Sequence, residues 1–218
     1  AQAVVTTVER IARRQGLGDL LAEGIARLSA RLGASAQEFA CHVKGQEVPM
    51  HEPRLKHGLG LGYALSPTGA DHCHNLHDTM YASEGPGLEE VRPLGILEPI
   101  PTNDLGPAKV RLYYYYTNWR HLMDCLVFCY FVPLDLDRLA RLVAAATGWN
   151  TNPWELLKVG ERCHHLTRAF NVREGFGPED DRLPRRFFSA FDSGPLAGVA
   201  VDPAALDAAR STFYCMVG

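Results

Sequence analysis

The chain has 218 residues, 46% of them hydrophobic and 22% charged, with a net charge of -3. That length is enough for one large or two small packed domains, and so slight a charge argues against nucleic acid or an anionic membrane as partner. No apolar run is long enough to span a bilayer, and the N-terminal AQAVVTTVERIARRQG places its arginines after the apolar residues, unlike a secretory signal.

Six cysteines, at positions 41, 73, 125, 129, 163 and 215, match no secreted disulfide framework. They read as reduced thiols of a cytoplasmic protein, most of them small buried hydrophobes and at least one a candidate metal ligand. The chain lacks an initiator methionine and stops at STFYCMVG, just after an apolar stretch, so both ends read as cut from something longer.

Taken in order, the pattern is helical throughout. Val8, Ile11 and Ala12 form one side of a short helix over Thr6–Arg14. Asp19 caps an amphipathic helix carrying Leu21, Ile25, Leu28 and Leu32, which Gly33 ends. Ser35 and Glu38 form a capping box that opens a third helix to about His42, and Val43–Pro53 reads as an extended connection. In Arg54–Ala82 four glycines sit among apolar residues, which predicts either close helix packing or backbone brought up to a ligand. Ser83–Asn103, rich in Pro, Gly and Glu, reads as a surface loop.

Asp104 and Pro107 open a helix that is apolar on nearly every side, as a central core helix is. It runs through NWRHLMDCLVFCYF, Asn118–Phe131, until Pro133 breaks it, and that stretch is expected to be largely buried. Asp135 or Asp137 starts a helix that turns Leu136, Leu139, Leu142 and Val143 inward and ends at Gly148. Asn152 and Glu155 cap a further helix to about Val172, expected to bury Trp154, Leu157, Cys163, Leu166 and Phe170. A charged connector over 171–188 precedes a last helix beginning near Asp202-Pro203. With no useful β-alternation, the predicted fold is all-α.

Three constellations could carry chemistry. Asp71, His72, Cys73, His74, His77 and Asp78 are all donors or acceptors, and their types suit zinc. Their spacing suits a polar pocket lining better than a closed zinc cage, with hydrogen-bonded core histidines as the plain alternative for His74 and His77. Asp124, Cys125 and Cys129 place a carboxylate and two thiols in an apolar segment; an iron–sulfur cluster needs four thiolates, so one of these could serve only as a single remote ligand. Arg173, Glu174, Asp180, Asp181, Arg182, Arg185 and Arg186 read first as an ordered, exposed connector, with Arg185 and Arg186 able to bind a carboxylate or phosphate.

The runs GLGDLLAEGIARLSARLG, EFACHVKGQEVPMHEPR, GLGLGYALSPTGADHCHNLHD, NWRHLMDCLVFC and ERCHHLTRAFNVREGFGPEDDRLPRRFF, in that order, resemble the C-terminal half of the tungsten-containing aldehyde:ferredoxin oxidoreductase family. The resemblance implies an irregular multi-helix fold. Residues 1–53 would be the end of the family's second domain and 54–218 its third domain, truncated at the C-terminus. It implies a parent enzyme holding tungsten, or molybdenum, on two pyranopterins beside a [4Fe–4S] cluster, with ferredoxin and a small aldehyde as partners. The family motif Asp-x-x-Gly-Leu-Cys falls on Asp124 to Cys129, with Val127 and Phe128 departing from it. By that match Asp124 is a pterin contact, Phe128 a backbone contact and Cys129 the fourth cluster ligand. The SPTGADH match makes His72 the proton-handling residue near the metal and His74 a basic pterin contact. The other cluster cysteines and the N-terminal pterin-binding domain would lie upstream, so the chain alone is expected to bind none of these cofactors and to be inactive. The alternatives are an aromatic acyl-thioester reductase subunit of the same family and a helical binding module without cofactor chemistry.

Overall fold

The computed structural model describes residues 1–217. Among them are ten α-helices and one two-stranded hairpin, so the all-α expectation holds. The N-terminal part is α1 (Gln2–Ala12), α2 (Leu17–Leu21), α3 (Gly24–Leu32) and α4 (Ala34–Gln37). The single helix expected over 19–32 is therefore two. Gly24 takes φ 76, which breaks the first helix and sets the start of the second. Gly33, φ 97, ends α3 as expected.

The helix expected from Ser35 to His42 is only the four-residue α4. Its continuation is lost to β1 (His42–Val43), which pairs antiparallel with β2 (Gln46–Glu47) across a Lys44-Gly45 turn. Both turn residues have positive φ, 50 and 84, as a tight hairpin turn of the right twist requires.

The body is built around α5 (His57–Leu65) and α7 (Pro107–Cys125). Every residue of α5 is buried. Its glycines serve packing, the first of the two expected readings: a Cβ on Gly58 would fall 2.6 Å from Asp78 Oδ1. Asp78 accepts from the Gly58 and Leu59 N–H groups at 3.0 and 2.9 Å, which satisfies the start of α5. It also pairs with Lys109 of α7, both side chains being fully buried. One carboxylate thus joins two helices and the 78–80 turn.

Residues 83–103 are not a bare surface loop. They hold α6 (Pro86–Val91) and a short 3-10 turn at Arg92–Leu94, and they bury Leu88, Val91, Ile96 and Ile100. Their apolar residues are too few and too irregularly spaced to announce a helix of six residues. The chain then continues through α8 (Leu136–Thr147), capped by Asp135, α9 (Pro153–Arg173), capped by Asn152, and α10 (Pro203–Val217). Leu139 and Val143 face inward as expected, while Leu142 is exposed.

Helix α9 buries Leu156, Gly160 and His164, not the larger apolar residues. Trp154, Leu166 and Phe170 are exposed, correcting the expected stripe. The reason is Gly160: α9 meets α7 backbone to backbone there, and a Cβ would come 2.0 Å from Asn118 O. The small residue sets the buried face, and the aromatics turn outward. The charged connector is corrected too, since Asp181 is fully buried and paired with Lys44 and Arg168 at 2.7 and 2.5 Å. Two cores result. One surrounds α5, the first half of α7 and α10; the other lies among the second half of α7, α8 and α9.

Candidate functional site

The stretch expected to be buried through Phe131 is buried only to Met123. Helix α7 ends at Cys125, eight residues before Pro133, and Asp124, Cys125, Val127, Cys129 and Phe131 are exposed. Its end is a Schellman motif: Phe128 N–H donates to Met123 O at 2.9 Å, and Val127 N–H to Asp124 O at 3.0 Å. The motif requires a left-handed residue, and Val127 supplies it with φ 53. Met123 and Phe128 pack in the same core, which is the apolar contact that accompanies such a cap. The turn then presents Asp124 and Cys129 to solvent on either side of a buried anchor.

The 71–78 loop packs against this turn. His74 stands between two carboxylates: its Nδ1 meets Asp71 Oδ2 at 2.5 Å, and its Nε2 meets Asp124 Oδ2. Cys73 Sγ lies 3.6 Å from Tyr130 Oη. The hydrogen bond to Asp71 outweighs burial and, with Asp124 adding, raises His74 to about 9. Burial works against charge on Asp71, but His74 and the Cys73 N–H overcome it and hold that carboxyl at about 2.

His72, half-buried, sits among two other imidazoles. Its ring centroid is 5.0 Å from that of His51 and 6.2 Å from that of His77. Lys56 Nζ is 3.2 Å from His77 Nδ1. Burial, reinforced by the Lys56 charge, lowers His77 to about 4. Of the five residues expected at the site, Asp124 and His74 are in contact, Phe128 and Cys129 share the turn with Asp124, and His72 lies two residues from His74 on the facing loop.

Three further histidines line the site: His51 and His164 carry no sequence signal for it, and His121 stands in the Asn118–Phe131 stretch without an expected role. His51 comes from the segment before α5. His121 of α7 stacks on His74 at 5.0 Å, and His164 of α9 stacks on His121 at 4.9 Å. Burial first, then a neighbouring imidazole, pushes His121 down to about 4 and His164 to about 3. His121 lies three residues before Asp124, so the shared helix face was a readable signal. Nothing in the sequence marked His164 as its neighbour across the bundle.

A turn that offers a carboxylate and a thiol, faced by a histidine-rich loop on a helical scaffold, is the candidate site. A family model described as "Aldehyde ferredoxin oxidoreductase, domains 2 & 3" matches residues 1–218, and the chain belongs to that family. It is 34% identical over 198 residues to the tungsten-containing aldehyde ferredoxin oxidoreductase of Pyrococcus furiosus, covering 89% of this chain and 31% of that protein. The corresponding protein of Thermococcus kodakarensis is 33% identical over the same length. The aliphatic sulfonate oxidoreductase, WOR-like subunit, of Pyrococcus furiosus is 26% identical over 230 residues, covering all of this chain and 32% of that protein. The chain therefore spans about a third of the length of these relatives. Among solved structures, the active site complex BamBC of benzoyl coenzyme A reductase with 1,5 dienoyl-CoA shares the fold, with a TM-score of 0.65 at 18% identity over 97% of this chain and 35% of that one.

Proposed function

We propose that this chain is the helical cover of a pterin-dependent tungsten, or molybdenum, oxidoreductase that oxidises aldehydes to carboxylic acids and passes electrons to ferredoxin. The observation that supports it most is the Asp124–Cys129 turn, which in a chain of this family points an unpaired thiol and a carboxylate outward from a well-packed anchor. The donor set suits the expected groups. A thiolate is the ligand type a [4Fe–4S] cluster needs, and a carboxylate accepts the N–H groups of a pterin. When bound, these groups supply two-electron redox chemistry at the metal and a one-electron exit through the cluster.

In this reading residues 1–53 close the second domain and 54–218 belong to the third. Cys129 supplies one thiolate, and the N-terminal domain of the same protein supplies the other three. Asp124 accepts hydrogen bonds from the pterin, and His74, held by Asp71, fixes the direction of that carboxylate. Phe128 places the turn's backbone alongside. His72 holds or releases a proton at an imidazole nitrogen beside the reacting carbonyl. The six free cysteines suit a reducing compartment, the cytoplasm. The chain without the rest of the parent is inactive.

The test is the full-length protein, assayed with aldehydes plus ferredoxin and, separately, with aromatic acyl-thioesters plus a reductant. Aldehyde-dependent ferredoxin reduction is expected. His72→Gln should lower kcat by about 10²–10⁴-fold with metal content unchanged. Cys129→Ala should lose cluster iron and its absorbance. Activity only on the thioester would assign the reductase reading instead, and an unaltered cluster in Cys129→Ala would remove the ligand role.

A further inference from the structure

His74 and His121 each bring one ring nitrogen, and Asp124 one carboxylate oxygen, to within 4.8 Å of one another. His121 is 5% exposed, and its Nε2 is buried with no hydrogen-bond partner. A buried polar atom left unpaired is costly, and a second partner missing from the protein is its usual explanation. Cys163 Sγ approaches the other nitrogen of that ring, Nδ1, at 4.0 Å, which leaves Nε2 as the free atom. On the far side of His74, Asp71 Oδ2 holds Nδ1 at 2.5 Å. A carboxylate on the second nitrogen of a ligating histidine is the arrangement that fixes ring direction and raises ligand basicity at metal sites.

We propose that His74, His121 and Asp124 form a binding site for one divalent transition-metal ion of the zinc class, with Asp71 as the residue that orients His74. Two imidazoles and a carboxylate favour such an ion over magnesium or calcium, which prefer all-oxygen sets. Three protein ligands leave a fourth position for water. Ligand atoms around tetrahedral zinc lie roughly 3.3 Å apart, so the pairs that include His121 close by at most about 1.5 Å on binding, while His74 Nε2 and Asp124 Oδ2, now in hydrogen-bond contact, move slightly apart. The Asp124 side chain is 58% exposed, which provides both the room for that movement and the entry path. The ion takes the place of the proton that His74 Nε2 shares with Asp124 Oδ2, and that proton passes to solvent. This ion and the pterin contact proposed above draw on the same carboxylate, so they are alternative occupants. The inference does not depend on the cofactor reading.

The test uses the reduced 218-residue chain, with Co²⁺ as the spectroscopic probe and Zn²⁺ as competitor. One Co²⁺ per chain should bind with d–d bands and no thiolate charge-transfer band, and stoichiometric Zn²⁺ should displace it. Asp124→Asn and His121→Gln should each weaken binding at least tenfold, Asp71→Asn should weaken it about 10–100-fold, and Cys73→Ser should leave it unchanged. Asp124 is exposed, so its variant remains informative if His121→Gln fails to fold. A thiolate band, affinity unaltered by Asp124→Asn, or no stoichiometric binding would each overturn the proposal.

Discussion

Val127 shows how one residue can carry a conformational burden that its neighbours create. The Schellman cap of α7 requires a left-handed residue between Leu126 and Phe128, and the family motif has glycine there. A β-branched residue at φ 53 is held against its own preference, at about 1–2 kcal/mol. Its side chain is 94% exposed, so it recovers nothing through packing. Val127→Gly should therefore stabilise the chain. Glycine's extra freedom in the unfolded state offsets part of the gain, so the net is about 0.5–1 kcal/mol, read as a higher denaturation midpoint. His77 argues in the opposite direction. Its folded pKa of about 4 lies below the unfolded value near 6.5. As pH falls through that window, the unfolded chain takes a proton that the folded chain refuses. His77 alone should take about 1–2 kcal/mol from stability between pH 6.5 and 4, once solvent screening of the half-buried ring is allowed for, with His121 and His164 adding to the drop over the same range. His77→Gln should flatten that part of the profile, measured by urea denaturation at each pH.

At the scale of elements, what could be read in the sequence divides along a physical line. Helices with long periodic faces or strong caps were legible: Asp135 and Asn152 both accept the expected backbone N–H groups, and α7 is as apolar as a central helix should be. Short elements were not. Helix α4 and the Lys44-Gly45 hairpin are decided by positive-φ residues and by long-range pairing, and α6 by the core it covers. The buried face of α9 was misread for a related reason. Hydrophobicity pointed to Trp154, Leu166 and Phe170, but backbone proximity at Gly160 decided the face. The same fact makes a prediction. Gly160→Ala puts a methyl against Asn118 O with no flexible side chain to yield, so α9 must move away from α7. The variant should lose about 3 kcal/mol, the upper part of the overpacking range, and should shift the near-UV signal of Trp119, which lies in the core between these helices. The candidate site divides in the same manner. Asp124 and Cys129 could be singled out from their motif, but not their exposure, and the contact of His74 with Asp124 spans fifty positions and depends on where α7 stops.

For the whole molecule, Asp181 is the residue on which distant segments converge. Lys44 of the hairpin turn, Arg168 of α9 and the Tyr214 hydroxyl of α10 all reach its carboxylate, and Arg210 donates to its carbonyl at 2.9 Å. Lys44 Nζ also donates to Ala64 O at the end of α5. A single carboxylate thus fastens the N-terminal part of the chain to the helical body, and both it and Lys44 are almost wholly buried. Asp181→Asn keeps the shape and removes the charge, leaving Lys44 and Arg168 facing each other without their counter-ion. Breaking a buried pair from one side costs about 3–5 kcal/mol, because the remaining charge is left uncompensated. Lys44→Met alone should be milder, since Arg168 still neutralises Asp181. The double variant should be more stable than the sum of the two losses, because it removes one stranded cation. Denaturation of all four chains gives that coupling directly. Limited proteolysis adds the structural readout: cleavage in residues 1–53 should accelerate in Asp181→Asn before cleavage in α7 does. Equal acceleration in both places would mean that Asp181 stabilises the body as a whole and does not act as the fastening between its parts.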